Sequence, residues 1–281
     1  MILPRRSILV GIATLLMAAG LAGCSLPARL TAPERYGRGV VFVLPGIEGR
    51  SVWNRNIALG LDSGGVEAAI EVFDWTSGVP GGMLYNLMDL ERNRRVARQL
   101  ADRIVAQRAR HPNAPIHLVG HSGGGGMILL TLEALPPGRQ IDSAVLLAAA
   151  VSPDYNLVNA LRRTRYGIVN FYSEHDAGFL VVGTSLFGSI DRYAGPSAGA
   201  VGFRMPDYLV PEDQALYKDK LRQVAWDPRL KQTGNRGGHF GWTSQEFVRT
   251  YVATILKRQA ADYKWRRVDA PAPPPRRTRS R

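Results

Sequence analysis

Residues 116–130 read IHLVGHSGGGGMILL and join a short apolar segment to a longer one through a turn rich in glycine. The turn contains the pattern G-x-S-x-G at residues 120–124, with Ser122 at its centre. A Walker-type phosphate loop needs lysine followed by serine or threonine, and the dinucleotide pattern G-x-G-x-x-G has no match between residues 120 and 130. Of these common uses of a glycine-rich turn, only a strand-to-helix elbow that presents a serine fits this segment.

A second match to G-x-S-x-G, GPSAG at residues 195–199, tests how specific the pattern is. It follows the polar segment SIDRYA and precedes AVGFRMP at residues 200–206, which is typical of a short strand. In an elbow the chain turns so abruptly that side chains two residues before and after the serine would collide, and the turn must join a strand to a helix. Only Ser122 has that context, so we predict that Ser197 is a chance match in a loop.

The chain on either side of the elbow alternates between apolar strand-like runs and helix-like segments. This alternation predicts an α/β protein with a parallel sheet covered on both faces. The long charged segment from 84 to 110 carries an apolar stripe with helical spacing and is expected to be one surface helix, closed by His111-Pro112. The predicted strands are VVFVLPG at 40–46, VEAAIEVFDW at 66–75, PIHLVG at 115–120, IDSAVLLAAAV at 141–151 and GIVNFYSEHD at 167–176.

With these elements, the chain resembles the α/β-hydrolase superfamily over roughly residues 38–258. The resemblance implies a mostly parallel central sheet with helices on both faces, and a catalytic triad ordered nucleophile, acid, histidine along the chain. The matching positions are Ser122, then Asp176 after GIVNFYSEH, then His239 in GNRGGHFGW before the last helix. Asp154, which follows the preceding strand, is a rival for the acid, and Glu174 is a weaker candidate.

The resemblance also implies an oxyanion hole built from two backbone N–H groups. One donor would be Gly123, the residue after the nucleophile, and the other would be Ile47 in the loop after the first core strand. The family often has histidine-glycine in that loop, whereas this chain has Pro45-Gly46. Such chemistry needs no metal and no cofactor.

The amino terminus predicts export and lipidation. Arg5 and Arg6 precede an apolar run from 8 to 21, and the segment Leu21-Ala22-Gly23-Cys24 resembles the lipobox of bacterial lipoproteins. We therefore expect a signal peptide at 1–23, acyl chains on Cys24 and a lipid-anchored protein of the bacterial cell envelope. In bacteria with two membranes, the expected home is the periplasmic side of the outer membrane.

The rest of the chain is divided into a linker at 24–37, one hydrolase-like domain at 38–263 and a basic Pro/Arg-rich tail at 264–281, expected to be disordered. The formal net charge is +13. The chain has no recognisable nucleic-acid motif, so no nucleic-acid partner is expected.

The expected function is that of a serine hydrolase acting on carboxylic esters, which could be lipid-like or thioesters. Residues 177–204 are expected either to wall the pocket for an apolar acyl group or only to complete the fold. The alternative is an anchored binding or scaffold protein that has kept the fold without catalysis.

Overall fold

A parallel sheet forms the centre of the molecule in the computed structural model, which describes residues 26–79, 82–178 and 189–259. Within these ranges the sheet has six strands in the order β2-β1-β3-β4-β5-β6, and every neighbouring pair is parallel. The strands are β1 (Val40–Leu44), β2 (Ala69–Val72), β3 (Ile116–His121), β4 (Ser143–Leu147), β5 (Ile168–Tyr172) and β6 (Leu221–Ala225).

Helices connect the strands and cover the sheet. They are α1 (Pro33–Tyr36), α2 (Val52–Ser63), α3 (Met83–Met88), α4 (Leu90–Arg110), α5 (Gly123–Ala134), α6 (Val158–Arg162), α7 (Ala198–Val201), α8 (Pro211–Lys220) and α9, which begins at Gln245–Phe247 and runs on through a π-helical turn, Val248–Val252, to residue 259. Short 3₁₀ turns occupy Ala28–Thr31, Glu174–Gly178, Pro228–Thr233 and Gly241–Thr243. Among the described residues, no helix has both the length and the apolar character that a membrane span needs.

The hydrophobic core lies on both faces of the sheet, because successive side chains of each strand point to opposite faces. In β1, Val40, Phe42 and Leu44 pack with helices α4, α5 and α6 on one face. Val41 and Val43 pack on the other face with α2 and α9. The prediction of a parallel sheet with helices on both faces is therefore confirmed.

Three elements differ from the sequence-based prediction. The helix expected over 84–110 is two helices, because Asp89 leaves helical geometry and its side chain accepts a hydrogen bond from the Arg92 N–H at 2.9 Å, capping α4. The segment 200–206 is not a strand, since its start belongs to the helical turn α7. Strand β6 was not predicted, because as an edge strand it is largely exposed and lacks an apolar run.

Part of the segment assigned to the linker packs against the domain. Leu30 is fully buried in the core between the sheet and helices α2 and α9. Arg35 in α1 donates a hydrogen bond to the Ala68 carbonyl at 3.0 Å and pairs with Asp62 at 2.8 Å. These contacts hold residues 28–36 on the edge of the sheet next to β2.

Candidate active site

Ser122 stands at a sharp turn between β3 and α5. Its backbone has φ 54° and ψ −121°, a conformation that a non-glycine residue adopts only at a cost of about 1–3 kcal/mol. Neighbouring backbone groups hold it there: the Ser122 N–H donates to the Leu147 carbonyl at 2.9 Å, and the Ala150 N–H donates to the Ser122 carbonyl at 3.0 Å. The serine is therefore fixed in the strained geometry of an elbow.

The glycines of the turn are required by close backbone contacts. A Cβ atom on Gly120 would lie 2.6 Å from the backbone of Gly124, and one on Gly124 would lie 2.2 Å from the carbonyl oxygen of Leu44. Both distances are shorter than carbon atoms tolerate, so neither position admits a side chain. Glycine at these two positions therefore allows the strand and the helix to approach as closely as the elbow requires.

An aspartate and a histidine from later parts of the chain form a buried pair. His239 Nδ1 donates a hydrogen bond to Asp176 Oδ2 at 2.9 Å, and both side chains are almost completely buried. Asp176 lies in the 3₁₀ turn that follows β5, and His239 lies in the loop between the turns at 228–233 and 241–243. With its proton on Nδ1, the neutral imidazole carries its lone pair on Nε2.

The histidine loop lies directly against the elbow. His121, the residue before Ser122, approaches the carbonyl oxygen of His239 with its Nε2 at 3.0 Å. The rings of His121 and His239 are 4.6 Å apart between centroids. The structure therefore brings Ser122, Asp176 and His239 to the same carboxyl edge of the sheet.

Burial governs the protonation of the pair. It lowers the pKa of His239 to about 3, so the imidazole is neutral near pH 7. Burial also raises the pKa of the Asp176 carboxyl above its ordinary value. The hydrogen bond from His239 opposes this rise, because it favours the ionised carboxylate. The pair thus has a neutral imidazole and a carboxylate whose negative charge is costly unless a positive charge develops beside it.

The loop after β1 approaches the first turn of α5. A Cβ atom on Gly123 would lie 3.0 Å from Cγ2 of Ile47 and 3.1 Å from Cζ2 of Trp75. The Trp75 indole donates to the Pro45 carbonyl at 2.7 Å, and the Asn86 side chain donates to the Ile47 carbonyl at 3.0 Å. Two buried side chains thus hold the carbonyl groups of Pro45 and Ile47, the residues on either side of Gly46.

A carboxylate braces the same loop from within. Ser51 Oγ donates to Glu48 Oε1 at 3.1 Å, and Asn54 Nδ2 donates both to Ser51 Oγ at 2.8 Å and to the Gly49 carbonyl at 2.9 Å. A Cβ atom on Gly46 would lie 2.2 Å from Glu48 Oε2, so the carboxylate lies over that glycine. Burial raises the pKa of Glu48 to about 7.

Two aromatic side chains stand beside the histidine. Trp53 in α2 stacks on Phe240 with ring centroids 3.9 Å apart, and the Phe240 ring lies edge-on to His239 at 5.1 Å. Both side chains are half-buried. Sequence reasoning missed Trp53, Asn86 and Glu48, since no local pattern distinguishes them from other residues of a helix or loop.

The other candidate residues, Asp154, Glu174 and Ser197, are not part of the buried pair that His239 forms with Asp176. The Asp154 side chain is 56% exposed and paired with Arg204, which holds the pKa of that carboxyl below its usual value. Glu174 is exposed. Ser197 is fully buried, and its hydroxyl has no hydrogen-bond partner among the described residues. The structure thus removes Asp154 as a partner for His239.

Several predicted features fall outside the described residues. These are Cys24, the signal peptide, residues 264–281 and residues 179–188 of the predicted pocket wall. The part of that wall from 189 onward is described: a Cβ atom on Gly126 would lie 2.1 Å from Cγ2 of Ile190, so this segment packs on the start of α5. Within the described ranges, no group of three or more histidine, cysteine, aspartate or glutamate side chains is arranged to hold a metal ion.

Comparisons with known proteins yield matches only among solved structures. No family model matches the chain, and no curated protein matches it. A predicted CIB-like hydrolase from Thermoplasma acidophilum is 16% identical and covers 79% of this chain and 87% of its own, with a TM-score of 0.39. A lipase-esterase related protein from Clostridium acetobutylicum (11% identity, 79% and 94% covered, TM-score 0.42) and a putative aryl esterase from Burkholderia cenocepacia (11% identity, 80% and 92% covered, TM-score 0.46) are also similar to it.

The class of the protein follows from its own architecture. A parallel sheet in which a serine elbow follows one strand, with an aspartate after a later strand and a histidine near the last helix at the same edge, is the arrangement of the α/β-hydrolase fold.

Proposed function

We propose that the protein is a serine hydrolase that cleaves carboxylic esters through an acyl-enzyme. The observation that carries the proposal is the meeting of the strained elbow at Ser122 with the buried Asp176–His239 pair. A strained backbone at a functional position is a cost that a fold retains where the site needs it.

In the proposed reaction, His239 Nε2 takes the proton of the Ser122 hydroxyl as the oxygen adds to the ester carbonyl. The imidazolium that forms lies beside Asp176, whose charge then has a partner. His239 next gives the proton to the leaving alcohol, and an ester bond joins the acyl group to Ser122. Water, activated by the same imidazole, attacks this ester and releases the acid.

The developing oxyanion would be bound by the N–H groups of Ile47 and Gly123. The proximity of Ile47 to Gly123 supports this assignment, as do the anchors on the Pro45 and Ile47 carbonyls. Gly123 begins α5, where backbone N–H groups are free of helical partners and favour negative charge. Each such donor is worth about 3 kcal/mol in the transition state.

An apolar acyl group suits the surroundings of the site. Ile47 lies at the elbow, and Trp53 and Phe240 form an aromatic stack beside His239. The described end of the segment 177–204 packs on the start of α5, which supports its role as a further wall. Linear aliphatic esters are thus the substrate class we propose, either free or as part of a lipid.

For the setting, we propose attachment to the cell envelope through acyl chains on Cys24, which rests on the lipobox-like order of residues 21–24. More than one acyl chain is needed for stable anchoring. Fractionation of cells that express the wild type or Cys24→Ser tests this: we expect the wild type in membranes and the variant released. A variant that stays in the membrane fraction would overturn the anchor.

The test of the activity is covalent labelling by a fluorophosphonate, which reacts with an activated serine. Mass spectrometry of digested, labelled protein should find the adduct on Ser122, and p-nitrophenyl esters of increasing chain length should be hydrolysed. Folded protein that neither labels nor hydrolyses these esters would favour the alternative, a binding or scaffold protein that has kept the fold.

A further inference from the structure

The elbow contains a second buried side chain that the proposed reaction does not use. His121 precedes the nucleophile, and its side chain is 1% exposed. Its Nε2 lies 3.0 Å from the His239 carbonyl oxygen, across 118 residues of sequence. Its ring also faces the ring of His239 and, at 5.7 Å between centroids, that of Phe240.

The acceptor in this contact defines which nitrogen of the His121 ring carries the proton. A carbonyl oxygen only accepts hydrogen bonds, so His121 carries its proton on Nε2 and donates it. Its Nδ1 is buried and has no hydrogen-bond partner among the described residues. A charged ring would place a second unpaired N–H there, so the arrangement fits a neutral imidazole. Burial and the neighbouring His239 both hold the pKa of His121 well below its ordinary value.

The bond acts on a loop that is rich in glycine. Gly237 and Gly238 precede His239, and Gly241 follows soon after. The loop is also held at Asn235, whose carbonyl accepts a hydrogen bond from the Trp226 indole at 3.1 Å. The bond from His121 holds the backbone of His239 itself, and it starts from the residue joined to Ser122. It therefore links the backbone that carries the imidazole to the residue that precedes the serine.

We propose that His121 is a positioning residue, which uses its Nε2–H to hold the backbone of His239 against the elbow so that the imidazole faces the Ser122 hydroxyl. The inference rests on the proposed hydrolase function and adds a role that the triad alone does not include. The hold on the His239 backbone depends on the N–H donor at Nε2 of His121. A ring of similar volume without that donor would not provide it.

Three substitutions separate the donor from the ring. His121→Phe keeps a ring and removes the donor, while His121→Gln places an amide N–H near the position of Nε2. His121→Asn places the amide near the position of Nδ1, too short to reach the His239 carbonyl. We expect kcat to fall about 100-fold in the Phe and Asn variants, with KM little changed, because small misplacements of a catalytic group cost this much.

We expect His121→Gln to recover most of kcat, and each variant to melt cooperatively in a thermal scan. A Gln variant as impaired as Asn, or a Phe variant more active than Gln, would overturn the proposal, since either ranking assigns the effect to packing. The Gln and Asn pair decides the matter even if the Phe variant does not fold.

A measurement without substrate separates this inference from the proposed function. In ¹⁵N-histidine NMR of the purified protein, the resonances of His121 are those that disappear in His121→Gln. Between pH 6 and 8 we expect these resonances to show a neutral ring protonated on Nε2. A ring protonated on Nδ1, or one that titrates in this range, would refute the bond. Wild-type protein that shows the expected tautomer but hydrolyses no ester would refute the hydrolase proposal instead.

Discussion

The chain contains the pattern G-x-S-x-G twice, and the two copies have different structures. In the first copy Ser122 has φ 54°, joins β3 to the twelve-residue helix α5 and lies next to the His239 loop. In the second copy Ser197 has φ −81° and ψ 165°, an ordinary extended backbone, and precedes only the four-residue turn α7. The same five-residue pattern thus forms an elbow in one place and an extended segment that enters a short helical turn in the other.

Both copies use glycine for close packing, but against different partners. Gly120 and Gly124 approach each other across the turn, as an elbow demands. In the second copy Gly199 packs on the backbone of Ala148, and Gly195 packs on the ring of Tyr193. What distinguishes the elbow is therefore that its two glycines contact each other, which the pattern alone does not specify.

The largest expected effect tests this contrast at the serines. Ser122→Ala should lower kcat about a millionfold, the scale observed when a nucleophile is removed from such a triad, and should abolish fluorophosphonate labelling. Ser197→Ala should keep both activity and labelling, because its buried hydroxyl has no hydrogen-bond partner among the described residues. Kinetics of the two variants on one aryl ester measure the difference, and loss of activity in Ser197→Ala would reverse our assignment.

A smaller effect on kcat is expected when the two candidate acids, Asp176 and Asp154, are replaced. Asp176→Asn should lower kcat by about 10⁴-fold, because the imidazolium loses its carboxylate partner. Asp154→Asn, near the second copy, removes only an exposed pair with Arg204 and should leave kcat within about twofold. Steady-state kinetics at pH 7 compares them, and the opposite order would return the role to Asp154.

Asp176→Asn should also fold, and above neutral pH the variant should be more stable than the wild type. Burial raises the pKa of this carboxyl above its unfolded value, so its ionisation costs stability as the pH rises above that value. Urea unfolding at pH 5 and pH 8 should therefore show wild type losing stability relative to the variant at the higher pH.

Substitution of an elbow glycine by alanine is expected to lower the free energy of unfolding moderately. Gly124→Ala should lower the free energy of unfolding by about 1–3 kcal/mol, because its methyl group would meet the Leu44 carbonyl. Gly238→Ala is a matched control beside His239, since nothing lies within 4 Å of the added atom. Thermal unfolding of both variants tests the steric argument, which fails if they are equally stable.

The smallest effect concerns Glu48, in the loop that faces the elbow. Burial raises its pKa to about 7, so its contribution to stability is greatest below its unfolded pKa and declines as the pH rises through 7. Glu48→Gln should therefore gain stability relative to wild type between pH 5 and pH 8, while the Ser51 hydrogen bond is retained. Denaturant unfolding at the two pH values measures the shift, and a shift of the opposite sign would contradict it.

Much of the fold could be predicted because the signals are local. The apolar runs of β1, β3, β4 and β5 are buried on both faces, so their sequences differ clearly from the helices between them. Strand β6 gave no such signal, since an edge strand needs fewer apolar side chains. The break at Asp89 was hidden because apolar residues continue across it with helical spacing.

The positions proposed for the site were predicted in a similarly uneven way. The elbow demands residue types at fixed spacing, so Ser122 could be chosen over Ser197 from flanking sequence. Between Asp176 and Asp154 the sequence only favoured one candidate, because the contact with His239 joins residues 63 positions apart. The aromatic stack of Trp53 and Phe240 and the anchors on the loop after β1 had no local signature at all.

The sequence by itself determined the α/β architecture and the location of the sharp turn, because hydrophobic periodicity and the steric needs of glycine act over a few residues. Only the tertiary structure decided which carboxylate meets the histidine and that His121 bonds to its backbone. Those contacts depend on how distant loops converge at the carboxyl edge of the sheet, which no short stretch of sequence encodes.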